Sequence, residues 1–312
     1  MARARAGSLA LVRSYWTLLF LLASIWGASY LFIKVAVEDV EPAPMMAIRA
    51  LGAGLLLFAY LALRLGTREA SAEIRRNWRP SLVLGAFNAA LPFWLVAWGE
   101  KHIDSSVAGI AQSTVPIFVF LLGVRFLPYE HVGAARIAGV ALGFAGVAVL
   151  AGFDPDRGLW AVLGTLAVVL SSLSYASSGV YGQLQVSTVS GPVLATGSML
   201  AGGLILLPFG LVQLPSHAPD VEAVGSLLAL TILGTALAQL ILFRILRLYG
   251  SRRLSLVTYL MPAFAVVYGA LLLDEPVTGA AIAGLALILV GVALASGQRL
   301  LGARSTPVQE TT

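Results

Sequence analysis

The sequence has no cysteine and very few charged residues. Charged residues make up 11% of the chain, against about a quarter in soluble globular domains. Without cysteine there is no disulfide bridge, no thiolate metal site and no cysteine nucleophile. The chain has 20 basic and 15 acidic side chains among 312 residues, of which 59% are hydrophobic, so it lacks the polar surface to cover a soluble core. The composition therefore predicts a membrane protein.

The motifs of enzymes and of nucleotide-driven pumps are absent as well. The three histidines, His102, His131 and His217, all fall in or beside connections between apolar runs. The chain contains no Gly-x-Ser-x-Gly motif and no Walker A phosphate loop. We therefore expect no enzyme, no metal site and no cofactor. The net charge of +5 does not indicate nucleic acid, because Lys and Arg in such a hydrophobic chain mark cytoplasmic loops.

Long apolar runs dominate what is present. The first run, at 15–37, is longer than the apolar region of a signal peptide, which has about 7 to 15 residues. It matches the roughly 20 residues that cross a bilayer. The sequence contains ten such runs, at 15–37, 43–63, 80–99, 106–127, 132–152, 159–182, 191–213, 223–246, 254–273 and 277–297. We therefore predict an all-α membrane protein with ten transmembrane helices.

The basic residues are distributed unevenly between the two sides of this predicted bundle. Sixteen of the twenty fall in the termini and connections of one side. The connections of the other side contain only Lys101 and Arg157 as basic residues, together with most of the acidic ones. Because positive charge collects in cytoplasmic segments, we predict that the protein lies in the cell membrane with both termini in the cytoplasm. Lys34 and Arg49 are the two basic residues that belong to no connection.

The chain also contains an internal repeat. Residues 130–152 align without gaps with residues 275–297 and are identical at 12 of 23 positions. Further upstream, Pro116 corresponds to Pro262. The repeat therefore covers nearly the whole chain as two five-helix copies.

Two copies of five helices predict an inverted arrangement. The predicted copies are 15–152 and 159–297, with cytoplasmic tails at 1–14 and 298–312. Because five is odd, the second copy enters the membrane from the opposite side. Inverted repeats are typical of secondary transporters, which bind substrate near the midplane between the repeats.

These features resemble the EamA-type members of the drug/metabolite transporter superfamily. The resemblance is carried by "WGASYLFIKVAVEDVEPAPMMAIRA" at 26–50, "AWGEKHIDSSVAGIAQSTVPIFVFLLG" at 97–123 and "YLMPAFAVVYGALLLDEPVTGAAIAGLALILVGVAL" at 259–294. It implies ten helices in two EamA repeats, a cytoplasmic-membrane location, and export or uptake of small metabolites, often amino acids. It implies no single substrate.

Lys34 and Arg49 are the first candidate substrate-binding residues. Both are predicted roughly 6 to 8 Å inside the outer boundary, counting about 1.5 Å per residue. A cation inside a membrane helix is costly and usually faces protein or a wet cavity. One interpretation is an anion-attracting mouth for a carboxylate or phosphate. The alternative is structural, with Lys34 reaching Glu38 or lipid headgroups and Arg49 binding helix-end carbonyls.

Pro116 and Pro262 predict helix kinks. Each removes a backbone donor and frees the carbonyl four residues earlier, at Gln112 and Thr258. Freed carbonyls persist in a bilayer only where protein or a water-filled cavity satisfies them. These two residues, with the neighbouring Ser113 and Tyr259, are therefore candidates to bind a substrate ammonium. The alternative is a packing kink satisfied by a nearby hydroxyl.

Other polar and aromatic residues lie within the predicted spans. Trp26 and Tyr175 correspond in the repeat and fall near mid-helix, where they could stack on a substrate or gate it. The alternative is that they pack in the core. Asn88 and Gln239 are candidates for substrate binding or for bonds between helices. No acidic residue is predicted deep in a span, and Glu100, at the outer end of the third helix, is expected to face water.

We therefore predict a secondary carrier that moves amino acids or related zwitterions outward by alternating access. Arg49, with Lys34, would attract the substrate carboxylate. The alternative is a translocase for lipid headgroups or lipid-linked sugars, a role found in the same superfamily. The expected partners are a small-molecule substrate and the lipid bilayer, with no nucleic acid, and a homodimer is left open.

Overall fold

The structure is a computed structural model that describes residues 2–126, 133–152 and 158–295. Every regular element within these ranges is a helix, so the predicted all-α class is confirmed for this part of the chain. Ten apolar helices follow one another: α1 (Ala2–Val37), α2 (Pro42–Leu65), α3 (Trp78–Glu100), α4 (Ser105–Phe126), α5 (Ala134–Gly152), α6 (Gly158–Gln185), α7 (Gly191–Val212), α8 (Val221–Tyr249), α9 (Val257–Leu272) and α10 (Gly279–Ala295).

Eight of these helices, α1 to α8, are long and apolar enough to cross a bilayer. The other two, α9 and α10, are apolar but have only 16 and 17 residues. At about 1.5 Å per residue they are shorter than the hydrocarbon layer of roughly 30 Å. A separate helical turn, Ser251–Leu254, precedes α9, so the ninth predicted run is divided into two pieces.

Two features differ from the predicted boundaries. Helix α1 begins at Ala2, so most of the predicted tail at 1–14 is helical. A short helix, Thr67–Arg76, fills the connection between α2 and α3. It is rich in Arg and Glu with one buried residue, Ala70, and a search for apolar runs does not detect such a charged helix. The predicted tail at 298–312 lies outside the described residues.

Helices α2 and α7 pack against each other in antiparallel orientation. Gly54 approaches Leu200, whereas Leu51 approaches Gly203, so residue numbers rise along one helix as they fall along the other. A Cβ atom on Gly54 would lie 2.8 Å from the Leu200 side chain, and one on Gly203 would lie 2.5 Å from Leu51. The close approach explains the small residues at this contact.

Helices α5 and α10 form a second antiparallel pair. Gly143 contacts Gly291, and Gly146 contacts Ile288. A Cβ atom on Gly291 would lie 2.6 Å from the backbone nitrogen of Gly143. The two segments that align best in the sequence therefore lie side by side and run in opposite directions.

Helices α3 and α8 each contain a π-helical segment. The segments are Gly85–Ala90 and Ile232–Leu237, each of six residues, and they begin 147 positions apart. In α8 the Thr235 hydroxyl donates to the Leu230 carbonyl, five residues earlier, at 2.9 Å. Single π-turns in membrane helices often mark functional sites.

The two predicted proline kinks differ in the structure. Helix α4 consists of Ser105–Gln112 and Val115–Phe126, and Pro116 is the second residue after the break. Pro262 lies inside the continuous helix α9, and the nearest break, at 255–256, lies further upstream.

Candidate functional site

Arg49 is a buried cation that contacts side chains of two other helices. Its side chain projects from α2, and the residue is only 7% exposed. Its Nε atom donates to Thr235 Oγ1, in the π-helical segment of α8, at 2.9 Å. The guanidinium carbon lies 3.8 Å from the centre of the Phe93 ring on α3, which is a cation–π contact. Three helices therefore fix the position of this cation.

Two tyrosines complete the surroundings of Arg49. Tyr175 of α6 and Tyr30 of α1 both lie within electrostatic range of the guanidinium. Tyr30 is buried, and its hydroxyl donates to Met261 Sδ at 3.8 Å, whereas Tyr175 is only half-buried. We call this group the arginine site, and its members are Arg49, Tyr30, Phe93, Tyr175 and Thr235.

Lys34 binds the end of a helix. Its Nζ atom donates to the carbonyls of Glu100, at 2.8 Å, and Ile103, at 3.0 Å. The first carbonyl is at the C-terminal end of α3 and the second is in the connection that follows it. A cation is favourable at a helix C-terminus because it satisfies carbonyls that have no helical partner. Lys34 therefore joins α1 to α3, which is neither of the two roles weighed from the sequence.

Glu100 is fully buried, so the expectation that it faces water is wrong. Its exposed fraction is 0%, and neither carboxylate oxygen has a hydrogen-bond partner. The burial follows from the preceding residue: a Cβ atom on Gly99 would lie 2.8 Å from the Gly164 carbonyl, so α3 and α6 are in close backbone contact there.

A second buried carboxylate lies nearby. The oxygens of Glu275, in the segment after α9, accept hydrogen bonds from the backbone N–H groups of Ser105 (2.7 Å) and Ser106 (2.9 Å). These are the first residues of α4, where the helix dipole favours a negative charge. We call Lys34, Glu100 and Glu275 the Glu100 cluster, and it joins the first half of the chain to the second.

Gln112 and Ser113 are engaged in bonds between protein groups. Gln112 Nε2 donates to Ser172 Oγ at 3.0 Å, and Gln112 Oε1 accepts from Ser171 Oγ at 2.8 Å. The backbone carbonyl freed by Pro116 accepts from Ser172 Oγ at 3.4 Å. Ser113 Oγ donates to the Gly109 carbonyl at 3.3 Å. The contacts of Gln112 join α4 to α6 through the hydroxyls that the sequence left as an alternative, whereas the Ser113 bond lies within α4.

Asn88 also contacts α6. Its Oδ1 atom accepts a hydrogen bond from Ser178 Oγ at 3.1 Å. Asn88 is the fourth residue of the π-helical segment in α3, the position that Thr235 occupies in α8. The two segments therefore present one polar side chain each, and each bonds to a different helix.

The remaining candidates lie apart from the hydrogen bonds of Arg49. Trp26 and Tyr259 are half-buried and pack against the same hydrophobic core as Tyr175 of the arginine site. Thr258 Oγ1 donates to the Ser255 carbonyl at 2.8 Å, and Gln239 is a half-buried residue of α8.

Sequence reasoning missed Tyr30, Phe93 and Thr235. Tyr30 and Phe93 read as ordinary core aromatics, because nothing local marks their contact with an arginine. Thr235 could have been found by extending the repeat to Asn88, since the two polar residues correspond, but the sequence comparison relied on proline and glycine.

A cavity of ≈ 870 Å³ lies between α1, α2, α7 and α8. Three arginines line it, Arg64, Arg244 and Arg247, with apolar side chains such as Leu18 and Ile241. It lies beside the ends of α2 and α8 that carry these arginines. The acid-rich ends are those that carry the connections after α1, α3, α7 and α9.

Polar contacts join the connections at the acid-rich ends. Lys101 Nζ lies 2.7 Å from Glu41 Oε1. Asp39 bonds to the connection after α7, with His217 Nε2 2.6 Å from Oδ1 and the Asp220 N–H donating to Oδ2 at 2.6 Å. The hydrogen bonds from Asp220 and His217 hold the pKa of the Asp39 carboxyl below its ordinary value of 3.8.

The molecule is thus a multi-pass membrane protein with a cation buried between its helices. Among the described residues, no three side chains of the metal-binding types gather in one place. The chain belongs to the EamA-like transporter family, whose model matches residues 14–152 and 162–297. The family resemblance inferred from the sequence is confirmed, and so is the expectation of a transporter rather than an enzyme.

Relatives and a solved structure agree with this assignment. The chain is 27% identical to an uncharacterized transporter of Archaeoglobus fulgidus over 277 residues, covering 89% of this chain and 96% of that protein. It is 30% identical over 195 residues to the uncharacterized inner membrane transporter YedA of Escherichia coli, covering 61% of this chain and 59% of YedA. One crystal structure shares the fold, with a TM-score of 0.62 at 22% identity, and the match covers 91% of this chain and 96% of that one.

Proposed function

We propose that this transporter exports amino acids or related zwitterions across the cell membrane by alternating access. The observation that carries the proposal is the arginine site, in which Arg49 is buried and held by Thr235 and Phe93. Among the described residues, no carboxylate forms a salt bridge with Arg49. A buried cation without an acidic partner attracts an anion, and all amino acids have a carboxylate that a guanidinium binds well.

The proposed pose places the substrate carboxylate on Arg49 and the ammonium against aromatic faces. Tyr175, in the arginine site, and Trp26, its counterpart in the repeat, are half-buried, and an aromatic face attracts an ammonium. Gln112 acts on the substrate indirectly, by holding α4 against α6, and Ser113 acts by bonding to the Gly109 carbonyl within α4. Asn88, Gln239, Thr258 and Tyr259 line the pathway in this proposal.

The proposed alternating access requires two inverted halves. Antiparallel packing of α2 with α7, and of α5 with α10, supports this arrangement, because the members of each pair correspond in the sequence repeat. The paired π-helical segments of α3 and α8 support it too. Inverted halves can close one side of a shared site while opening the other.

We further propose that the structure is open to the cytoplasm. The cavity lies at the arginine-rich ends of the helices, and such ends face the cytoplasm in membrane proteins. The opposite ends are joined by the contacts of Asp39 and Lys101. Both termini are cytoplasmic in this orientation.

A lipid-headgroup or lipid-linked-sugar translocase is the second candidate. The observation that favours it is the composition of the cavity, where Arg64, Arg244 and Arg247 lie beside leucine and isoleucine side chains. Arginines bind phosphate and apolar walls accept acyl chains. A fluorescent-lipid translocation assay in proteoliposomes separates this function from amino acid transport.

Counterflow of labelled amino acids in proteoliposomes tests the main proposal. The variant is Arg49→Ala, and the matched control is Arg76→Ala, which removes an exposed arginine of the short helix. The variant loses the charge-assisted hydrogen bond between Arg49 and the substrate carboxylate, which contributes about 1.5 to 3 kcal/mol. We therefore expect the rate of exchange to fall about 10- to 100-fold. Unchanged exchange in Arg49→Ala would remove Arg49 from the site.

A further inference from the structure

We propose that Glu100 binds a proton and that this proton moves together with the substrate in each transport cycle. The inference rests on the proposed transport function, but it concerns the Glu100 cluster rather than the arginine site. The observation behind it is the buried side chain of Glu100, which has no role in the proposed binding pose.

The carboxyl of Glu100 has no protein partner in this conformation. The residue is 0% exposed, and both of its carboxylate oxygens lack hydrogen bonds. An ionised carboxylate in such a place is strongly unfavourable, because burial removes water and nothing replaces it. A proton or a movable cation must therefore satisfy this group.

The charged side chains near Glu100 form their hydrogen bonds with other groups. Lys34 of α1 donates to backbone carbonyls, and Glu275, after α9, accepts from two N–H groups of α4. Tyr30 of α1 and Arg49 of α2 are the other titratable groups that act on Glu100. Tyr175, on the packed helix α6, acts on Arg49. Arg49 is thus the one cation near Glu100 whose described hydrogen bonds involve side chains only.

This arrangement gives Glu100 two ways to be satisfied. In the empty transporter, Glu100 is protonated while Arg49 binds Thr235, and it ionises at higher pH only when Arg49 leaves Thr235 to compensate it, which costs stability. When a substrate carboxylate occupies Arg49, that compensation is lost, and Glu100 takes a proton from water on the open side. The substrate and one proton then cross together, and both leave when the other side opens. Efflux down the substrate's own gradient would carry a proton outward with each molecule.

The first test is the thermal stability of the purified protein as a function of pH. Wild type, Glu100→Gln and the control Glu38→Gln, at an exposed position in the connection after α1, are compared without substrate. Between about pH 5.5 and about pH 8.5 we expect the melting temperature of wild type and of Glu38→Gln to fall by about 2 to 4 °C more than that of Glu100→Gln. Parallel curves for all three proteins would overturn the proposal, because Glu100 would then exchange no proton in this range.

The second test separates exchange from proton coupling in proteoliposomes. The substrate is the labelled amino acid that wild type exchanges fastest. We expect Glu100→Gln to keep counterflow within about twofold and to lose accumulation driven by an alkaline lumen, whereas Glu38→Gln keeps both. Accumulation equal to wild type in Glu100→Gln would overturn the proposal. Loss of counterflow would also overturn it, because Glu100 would then be a substrate ligand.

The two tests distinguish the failure of this inference from the failure of the proposed function. If wild type exchanges no amino acid, the amino acid function fails. The stability comparison still decides whether Glu100 binds a proton, because it uses no substrate.

Discussion

Asn88 and Thr235 occupy the same place in the two halves of the molecule but hold different partners. Each is the fourth residue of a π-helical segment. Asn88 binds the hydroxyl of Ser178 on α6, whereas Thr235 binds the guanidinium of Arg49 on α2. The comparison shows that a repeated backbone provides two similar polar positions, and that one arginine makes them chemically different.

The position that corresponds to Arg49 in the second half is Gly197. A Cβ atom there would clash with the Ser81 side chain, so this position serves close packing between α7 and α3. The second half therefore has no charge that corresponds to Arg49, and the packing against Ser81 leaves no room for one. The predictions below test this difference, starting with the largest effect.

Gly197→Leu should destabilise the protein strongly, because the new side chain has no room beside Ser81. Overpacking typically costs about 1 to 3 kcal/mol, which lowers the melting temperature by about 2 to 4 °C per kcal/mol in a protein of about this size or somewhat smaller. Gly225→Leu is the control, since a Cβ atom at Gly225 meets nothing within 4 Å. Equal melting temperatures for the two variants would show that Gly197 is not a packing position.

Thr235→Val should weaken transport without removing the arginine. Valine has nearly the shape of threonine but cannot accept the hydrogen bond from Arg49 Nε, so the guanidinium loses its fixed orientation. We expect the half-saturating substrate concentration in counterflow to rise about 5- to 10-fold. An unchanged value would mean that Arg49 needs no partner on α8.

Ser178→Ala is the corresponding change in the other half, and its effect should be smaller. It removes the donor to Asn88, and one neutral hydrogen bond contributes about 1 kcal/mol to stability. We expect a slightly lower melting temperature and nearly normal counterflow. A transport defect as large as that of Thr235→Val would show that the two halves contribute equally to binding.

Asp39→Asn should have the smallest effect, and the effect should depend on pH. Because the folded-state pKa of Asp39 is lowered, its ionised form stabilises the acid-rich side above its ordinary pKa, and this contribution is lost as the pH falls through the lowered value. The melting temperatures of wild type and variant should differ slightly at about pH 6 and converge at about pH 3. Since the group is at the surface, high salt should reduce the difference. A difference that persists at low pH would contradict this assignment.

The repeat and the apolar runs predicted most of the fold, because spanning length and small-residue patterns are local properties of the sequence. The segments that the repeat aligned also pack together, with Gly143 in contact with Gly291. The charged helix Thr67–Arg76 and the π-helical segments were missed. Neither leaves a hydropathy signal, and a π-turn depends on contacts with other helices.

The site was predicted in part. Arg49 and Tyr175 stood out as a buried charge and a mid-helix aromatic, and the structure places both in the arginine site. The burial of Glu100 was not predictable from its position at a helix end, because it depends on tertiary packing such as the close approach of α3 to α6 at Gly99 and Gly164. The partners of Lys34 were not predictable either, because they are carbonyls brought close to α1 only by the tertiary position of the end of α3.

The most direct test of the central claim is whether Arg49 recognises a carboxylate. Competition against labelled amino acid exchange is measured with an unlabelled amino acid and with its amide, in wild type and in Arg49→Gln. The account predicts that wild type prefers the amino acid by at least about tenfold and that Arg49→Gln no longer distinguishes the two compounds. The same preference in both proteins would show that another group binds the carboxylate.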